Sequence, residues 1–204
     1  MSIYKSAMGS NFYRLHPMLQ KRYSFQEGVV FKASGIMQTI KGGPKWLYPI
    51  FRAGVRWKLL FPEHGKDIPF TISNNAYTTP NGESHVHWER IFYFRNKKRY
   101  FNALMSFDTS TFVIKDYLGE PPLLYSDLAF TVTEDRNLKI TSLNQRLILG
   151  KLQLPLPKIF QGLATVTEKY DEELERYLIK VSVQNPLIGT VFSYEGWFAV
   201  NVDA

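Results

Sequence analysis

The chain lacks cysteine and lacks long hydrophobic runs. With no cysteine among 204 residues, disulfide bonds and thiolate metal sites are excluded, and the composition fits a reducing compartment. No stretch approaches the ~20 apolar residues of a transmembrane helix, and the opening sequence MSIYKSAMGSNFYRLHP has no hydrophobic segment of the kind found in secretory signals. These absences predict a soluble, cytoplasmic protein.

Acidic residues are outnumbered by basic ones, with 18 Asp and Glu against 25 Lys and Arg and a net charge of +7. This excess favours anionic partners such as phospholipid headgroups or acidic metabolites. The tight basic run Lys97-Lys98-Arg99 stands where a hairpin should turn, which is typical of a solvated loop tip. We therefore expect no nucleic-acid binding. The sequence makes no prediction of oligomeric state.

Most of the chain alternates apolar and polar residues with the two-residue period of β-strands. After a first strand at Val29–Ile40, turn sequences such as Thr79-Pro80-Asn81-Gly82 separate short strands, which predicts antiparallel neighbours in a meander. The strands of this β-meander (68–200) are predicted near 68–78, 83–95, 99–107, 111–118, 123–134, 137–149, 159–170, 174–184 and 188–200.

The number of strands predicts the architecture. Nine or ten strands with short links bury little surface as a flat sheet, so a strongly curled or closed barrel is expected. We predict one domain over residues 1–204, mainly β (α+β), with two N-terminal helices. A lipocalin-like or fatty-acid-binding-like barrel is the first model, and a sheet wrapped around a long helix is the alternative.

Two segments have helical spacing. Apolar residues recur every three or four positions in residues 2–22, where Pro17 should kink or divide the helix. A second helix is predicted over 45–60, with an apolar stripe and a basic remainder. It is interpreted as a helix packed on the sheet, as a lid over a barrel mouth, or as a face for anionic membrane, with Trp46, Phe51, Arg52 and Arg56 as its contact residues.

Three charged residues fall on strand faces that are otherwise apolar: Arg90, Asp116 and Glu168. A charge on the inner face of a barrel is costly unless it is paired or used. One interpretation is an internal ion pair of Arg90 with Asp116 or Glu168. Another is a polar anchor in which Arg90 holds a carboxylate or phosphate, surrounded by further candidate ligand-binding residues, namely Trp88, Phe92, Tyr170 and Tyr194.

Catalytic and metal sites have weaker support. Asp116 and Glu168 are candidates for a general acid/base pair, because burial raises a carboxyl pKa. His85 and His87 share one strand face and could hold a metal with a third ligand such as His64 or Asp67, but that face carries charges and looks solvent-directed. We predict no metal and no cofactor, and no glycine fingerprint for a dinucleotide follows a strand.

Several short motifs resemble one protein family. The motifs, in chain order, are Trp88-Glu89-Arg90-Ile91-Phe92, Tyr117-Leu118-Gly119, Leu154-Pro155-Leu156-Pro157, Glu168-Lys169-Tyr170-Asp171-Glu172, Asn185-Pro186-Leu187-Ile188-Gly189 and Tyr194-Glu195-Gly196-Trp197. Together they resemble the DUF4166 family, a bacterial domain of unknown function. The resemblance implies relatives that stand alone or are fused to a saccharopine-dehydrogenase-like NAD(P)-binding domain, and it implies no catalytic residues.

These observations predict a non-enzymatic module that binds a small amphipathic or anionic molecule, such as a lipid or an acid, in an apolar cavity. Two alternatives stay open. One is an enzyme that uses Asp116 or Glu168 as acid or base, and the other is a structural or partner-binding module with a filled core.

Overall fold

The computed structural model describes residues 2–201. Within that range the helices α1, α2 and α3 are Ile3–Met8, Pro17–Tyr23 and Tyr48–Val55, and 3₁₀ turns lie at Gly9–Arg14, Lys45–Leu47 and Lys158–Phe160. The strands β1 to β12 are, in chain order, Val30–Gly42, Gly65–Thr78, Ser84–Phe94, Lys97–Tyr100, Ala103–Asp108, Val113–Leu118, Leu124–Val132, Leu138–Leu149, Leu152–Pro155, Leu163–Asp171, Arg176–Asn185 and Gly189–Val200. No helix between residues 2 and 201 has the length and apolar character needed to cross a bilayer.

Ten strands form one closed antiparallel barrel. They follow each other along the chain, β8 pairs with β10, and β1 returns to pair with β12, so that every barrel strand has two neighbours. Among residues 2–201, the short strand β4 pairs only with β3 and the short strand β9 only with β8, and both form hairpin arms beside the barrel. The prediction of a mainly β, closed antiparallel fold is confirmed, and a lipocalin-like barrel fits it.

The connections between strands alternate between the two ends of the barrel, because consecutive strands run in opposite directions. We call one end the mouth; its connections are 43–64, 95–102, 119–123, 150–162 and 186–188. We call the other end the base; its hairpin loops are 79–83, 109–112, 133–137 and 172–175.

The N-terminal segment covers the base. Helix α1 contacts β5, β6 and β7, helix α2 contacts β10, and Tyr4 and Leu19 are completely buried. Pro17 occupies the first turn of α2, where a missing N–H is not needed, and the Nδ1 atom of His16 accepts a hydrogen bond from the Met18 N–H at 3.2 Å. The segment is helical, in agreement with its spacing, and Pro17 divides it.

The helix predicted over 45–60 is shorter in the structure, where α3 spans eight residues at Tyr48–Val55. Pro49 fits its first turn, but the chain leaves the helix after Val55 and reaches φ 51° at Lys58. The alternative fold, a sheet around a long helix, is therefore wrong. The predicted strand 99–107 is two strands, β4 and β5, and the strand predicted from 159 begins at Leu163 after a 3₁₀ turn.

Strands β1 and β12 approach unusually closely where they close the barrel. A Cβ atom on Gly35 would lie 1.9 Å from the Trp197 carbonyl oxygen, and one on Gly196 would lie 2.2 Å from the Ile36 carbonyl oxygen. A register shift follows between Ile36 and Thr39. Glycine at both positions lets the two backbones meet where a side chain would push them apart.

Candidate functional site

An apolar cavity of about 660 Å³ occupies the barrel interior. Tyr23 and Trp88 border it toward the base, and α3 borders it at the mouth. Its wall is formed mainly by aliphatic side chains, among them Leu128, Ile140, Val166, Ile179, Val181 and Val183. The cavity reaches the mouth, where exposed Trp46, Phe160 and Leu187 are also part of its lining.

The three charges assigned to the interior by strand parity are buried. Arg90, Asp116 and Glu168 are 7%, 6% and 1% exposed, and all three border the cavity. They lie on β3, β6 and β10, on strand faces that otherwise carry apolar residues. The apolar wall of the barrel interior therefore carries three charged side chains.

Glu168 is paired with Arg22 of helix α2, and not with Arg90. The Arg22 Nε donates to a Glu168 carboxylate oxygen at 3.0 Å, and the Tyr23 hydroxyl donates to the other oxygen at 3.0 Å. Arg22 also donates to Asn74 at 2.8 Å. Burial, followed by the adjacent Glu168 carboxylate, raises the pKa of Tyr23 well above its usual value, which keeps the hydroxyl a donor.

This buried pair fixes helix α2 to the barrel. Both side chains are almost fully buried. Removal of one partner from such a pair typically costs about 3–5 kcal/mol, because the other charge is left without compensation. Glu168 thus has the surroundings of a structural residue.

Arg90 is held from one side and is open toward the cavity. Its Nε donates to the Phe101 carbonyl oxygen at 2.7 Å, its Nη1 lies 3.4 Å from the Tyr194 hydroxyl, and the guanidinium carbon is 4.1 Å from the centre of the Phe101 ring. Within the described chain, its Nη2 donates no hydrogen bond. The predicted ion pair of Arg90 with Asp116 or Glu168 is absent among residues 2–201.

The buried carboxyl group of Asp116 has few interactions that offset the cost of its burial. Its Oδ1 is buried without a hydrogen-bond partner in the described part of the chain. Burial raises the pKa of Asp116 to about 7, and the Arg90 guanidinium acts in the opposite direction. The hydroxyl of Ser126, the cross-strand neighbour on β7, is also buried and unpartnered among residues 2–201.

The other predicted site residues separate into two sets. Trp88 and Tyr194 border the cavity, and the Trp88 indole N–H donates to the Tyr4 hydroxyl at 2.7 Å. Phe92 is fully buried but packs against Phe61 and Phe70, outside the cavity lining. Tyr170 stacks on the His16 ring near the base and does not border the cavity.

The two histidines on β3 are engaged by carboxylates. The Nε2 of His85 lies 3.3 Å from Glu83, and the Nε2 of His87 lies 2.8 Å from Glu120. His64, suggested as a third ligand, contacts the Tyr48 hydroxyl. No group of three or more acidic or histidine side chains between residues 2 and 201 is placed to hold a metal ion.

Comparison with known proteins agrees with the family resemblance of the sequence motifs. The model of the family described as "Domain of unknown function (DUF4166)" matches residues 15–198. The chain belongs to this family. It is similar to the "Uncharacterized protein YndH" of Bacillus subtilis (strain 168), with 40% identity over 197 residues that cover 97% of this chain and 96% of that protein. No solved structure matches the chain significantly.

Two features of this DUF4166 barrel escaped sequence reasoning. Arg22 lies in the polar-looking stretch Lys21-Arg22-Tyr23, and only the docking of α2 on the barrel shows that its side chain is buried. The second feature is the 3₁₀ turn at Lys158–Phe160: the sequence predicts a strand from 159, whereas Ile159 and Phe160 border the cavity mouth from that turn. Its signal in the sequence is that Ile159 and Phe160 are adjacent apolar residues, which breaks the apolar-polar alternation of a strand.

The predicted lid residues of the DUF4166 chain face in different directions. Phe51 is buried and borders the cavity, and Trp46 borders it while remaining exposed. Arg52 and Arg56 are exposed and are not part of the cavity lining. Helix α3 therefore presents an apolar side to the cavity and a basic side to solvent.

Proposed function

We propose that this DUF4166 protein binds an amphipathic small molecule with an anionic head group, a carboxylate or a phosphate, inside its barrel without converting it chemically. The apolar part of the ligand lies along the aliphatic wall. The head group lies at Arg90 and Asp116.

The size and chemistry of the cavity support the proposal. Small-molecule sites in proteins are typically about 300–1,000 Å³ with mostly apolar walls and few polar groups, and the barrel cavity of about 660 Å³ has these properties. A filled core, the structural alternative, has no support in an interior of this kind.

The observation that carries the proposal is the pair of unused polar groups at the cavity wall. Arg90 keeps its Nη2 free of hydrogen bonds, and Asp116 Oδ1 has no partner within the described residues. A buried polar atom without a partner costs free energy, and Asp116 Oδ1 is such an atom. A ligand oxygen that accepts a hydrogen bond from protonated Asp116 would recover this free energy, and it could accept from Arg90 as well. Protonated Asp116 is a donor, and a guanidinium is the preferred partner of carboxylates and phosphates.

The experiment is displacement of a fluorescent fatty-acid probe, dansylaminoundecanoic acid, from the purified protein in solution. Dodecanoate and dodecyl phosphate should displace the probe, whereas dodecanol should need at least tenfold higher concentration, because it lacks the charge that Arg90 recognises. The substitution Arg90→Met should weaken dodecanoate binding by about tenfold or more, in line with about 1.5–3 kcal/mol for a hydrogen bond to a charged group.

The matched control is Arg95→Met, which removes the same charge from the exposed turn after β3. It should leave dodecanoate binding unchanged. Equal displacement by the acid and the alcohol, or equal losses in the two arginine variants, would contradict the assignment of Arg90 as the anchor. An absence of probe binding to the wild-type protein would end the proposal.

A second candidate function is acid/base catalysis by Asp116. One observation favours it: a carboxyl with a pKa of about 7 beside a cavity is poised for proton transfer near neutral pH. Glu168 is the weaker candidate because its two carboxylate oxygens already accept hydrogen bonds from Arg22 and Tyr23. Mass spectrometry of the ligand after prolonged incubation separates the two functions, because only a catalyst returns a changed molecule.

A further inference from the structure

The mouth of the barrel is strongly basic. Its five connections carry ten lysine and arginine residues, namely Lys45, Arg52, Arg56, Lys58, Arg95, Lys97, Lys98, Arg99, Lys151 and Lys158, and two acidic residues, Glu63 and Glu120. Both acidic residues are already paired, Glu63 with Arg99 and Glu120 with Lys58. The remaining basic side chains leave a net positive end.

The base has the opposite character. Its four hairpin loops carry six acidic residues, Glu83, Glu134, Asp135, Glu172, Glu173 and Glu175, and one basic residue, Arg136. The N-terminal segment that covers the base adds four basic residues and one acidic residue, and the basic Arg22 is buried in its pair with Glu168. The positive charge of the molecule is thus concentrated at the mouth.

The mouth also exposes apolar side chains. Fifteen large hydrophobic residues are exposed within the described range, and eight of them lie in the mouth connections or directly beside them at the end of β8: Trp46, Ile50, Leu149, Leu152, Leu154, Ile159, Phe160 and Leu187. Leu187 is 75% exposed and Phe160 is 68% exposed. Exposed apolar groups in such number on one face commonly mark an interaction surface.

We propose that this mouth surface, formed by the eight exposed apolar residues and the basic residues around them, docks on an anionic phospholipid bilayer. Apolar side chains enter the boundary of the acyl chains, and lysine and arginine side chains contact the headgroups, as in other interfacial proteins. Each basic residue near an anionic membrane adds to the attraction, which falls off within a Debye length.

The chemistry of the surface favours a bilayer over other partners. A second copy in a symmetric dimer would place the two basic rims against each other, and like charges oppose such contact. A nucleic acid would use the basic groups but has no use for exposed aliphatic side chains such as Ile50 and Leu187, which cannot stack on bases as aromatic rings do. The docking surface does not depend on the proposed ligand.

The experiment is co-sedimentation of the full chain with vesicles. One set contains phosphatidylglycerol and phosphatidylcholine in equal parts, and the other contains phosphatidylcholine alone. Binding is expected to the anionic vesicles and should fall steeply at high salt. The variant Arg52→Glu/Arg56→Glu should bind anionic vesicles about tenfold or more weakly, because two favourable charges become unfavourable.

The matched charge control is Lys32→Glu/Lys139→Glu, which produces the same net charge at exposed positions near the base. It should bind anionic vesicles nearly as well as the wild type. A matched apolar pair is Phe160→Ser at the mouth and Phe112→Ser in a base loop, each 68% exposed. Only Phe160→Ser should reduce vesicle binding, by severalfold.

Several results would overturn the docking surface. These are equal binding to both vesicle types, equal losses in the two charge-reversed variants, or binding to a DNA duplex without binding to vesicles. Displacement of the dansyl probe by dodecanoate, measured without vesicles, separates this proposal from the ligand proposal. If the wild-type protein binds the probe but not the vesicles, only the docking surface is contradicted. If it binds the vesicles but not the probe, only the ligand proposal is contradicted.

Discussion

The carboxyl group of Asp116 makes the stability of the barrel depend on pH. Burial raises its pKa to about 7 in the folded protein, whereas a solvated aspartate titrates near about 3.9. Between these values the unfolded chain releases a proton that the folded chain keeps. Stability is therefore expected to fall as the pH rises from about 4 to about 7, by up to about 4 kcal/mol, and then to level off.

The variant Asp116→Asn tests this expectation because it cannot ionise. Urea unfolding at a series of pH values should show the variant gaining on the wild type from about pH 4 to about pH 7, with a constant difference above that. The exposed substitution Asp135→Asn in a base loop is the control and should follow the wild type. A difference between Asp116→Asn and the wild type that is the same at every pH would contradict the raised pKa.

Strand parity was enough to place individual residues inside the barrel. Arg90, Asp116 and Glu168 are buried as predicted, because the two-residue period of a strand fixes which face a side chain joins. Parity does not reveal partners. Arg22 approaches Glu168 from a helix 146 positions away in the chain, and this contact depends on how the segment 2–23 docks.

At the scale of elements, the contact between β1 and β12 closes the barrel and tolerates no side chain at Gly196. The substitution Gly196→Ala would place a Cβ atom 2.2 Å from the Ile36 carbonyl oxygen, which belongs to the backbone and has little freedom to move. We expect a loss of about 3 kcal/mol in the free energy of unfolding, the upper range for added atoms in a packed region.

Thermal and urea unfolding measure this effect. Ser193→Ala, on the same strand, is the control and should change stability by less than about 0.5 kcal/mol. A Gly196→Ala protein as stable as the control would show that the two strands can separate locally without cost. It would also show that the close approach is not needed for closure.

Element types were easier to predict from the sequence than their ends. The alternating pattern located the barrel strands, because burial of one face dictates it. Helix α3 was predicted twice as long as it is, since the apolar stripe of 45–60 continues past Gly54 although the backbone turns there. The apolar residues after Gly54, such as Trp57 and Leu59, border the cavity from a turn.

At the scale of the whole molecule, the proposed ligand site in the barrel cavity predicts a stability that depends on ligand. A ligand that binds only the folded state adds about 2.7 kcal/mol to the free energy of unfolding when its concentration is one hundred times its dissociation constant. Dodecanoate should therefore raise the unfolding temperature of the wild type. The variant Ala164→Phe fills part of the cavity from β10 and should lose most of this increase.

The control is Ala199→Phe on β12, a residue outside the cavity lining, which should keep the full ligand-induced increase. An equal increase for Ala164→Phe and the wild type would place the ligand elsewhere on the protein. Differential scanning fluorimetry with and without dodecanoate gives the comparison directly.

The overall architecture followed from the count of strands and the short links between them, because that many hairpins leave closure as the best way to bury an apolar face. The cavity did not follow. Whether a barrel of ten strands is filled depends on the volumes of side chains that meet from distant strands, such as Leu128 on β7 and Val181 on β11. No local pattern in the sequence encodes that sum.

The N-terminal segment that covers the base has a consequence for how a ligand would enter and leave the barrel. Arg22 and Tyr23 fasten this segment to Glu168 from within, so passage at the base would require these buried contacts to break. Under the proposed function, a ligand that enters at the mouth also leaves at the mouth, so that its apolar tail enters last and leaves first. Ligand exchange would then proceed one molecule at a time. Its rate would depend on how often the mouth meets a surface that can accept the ligand.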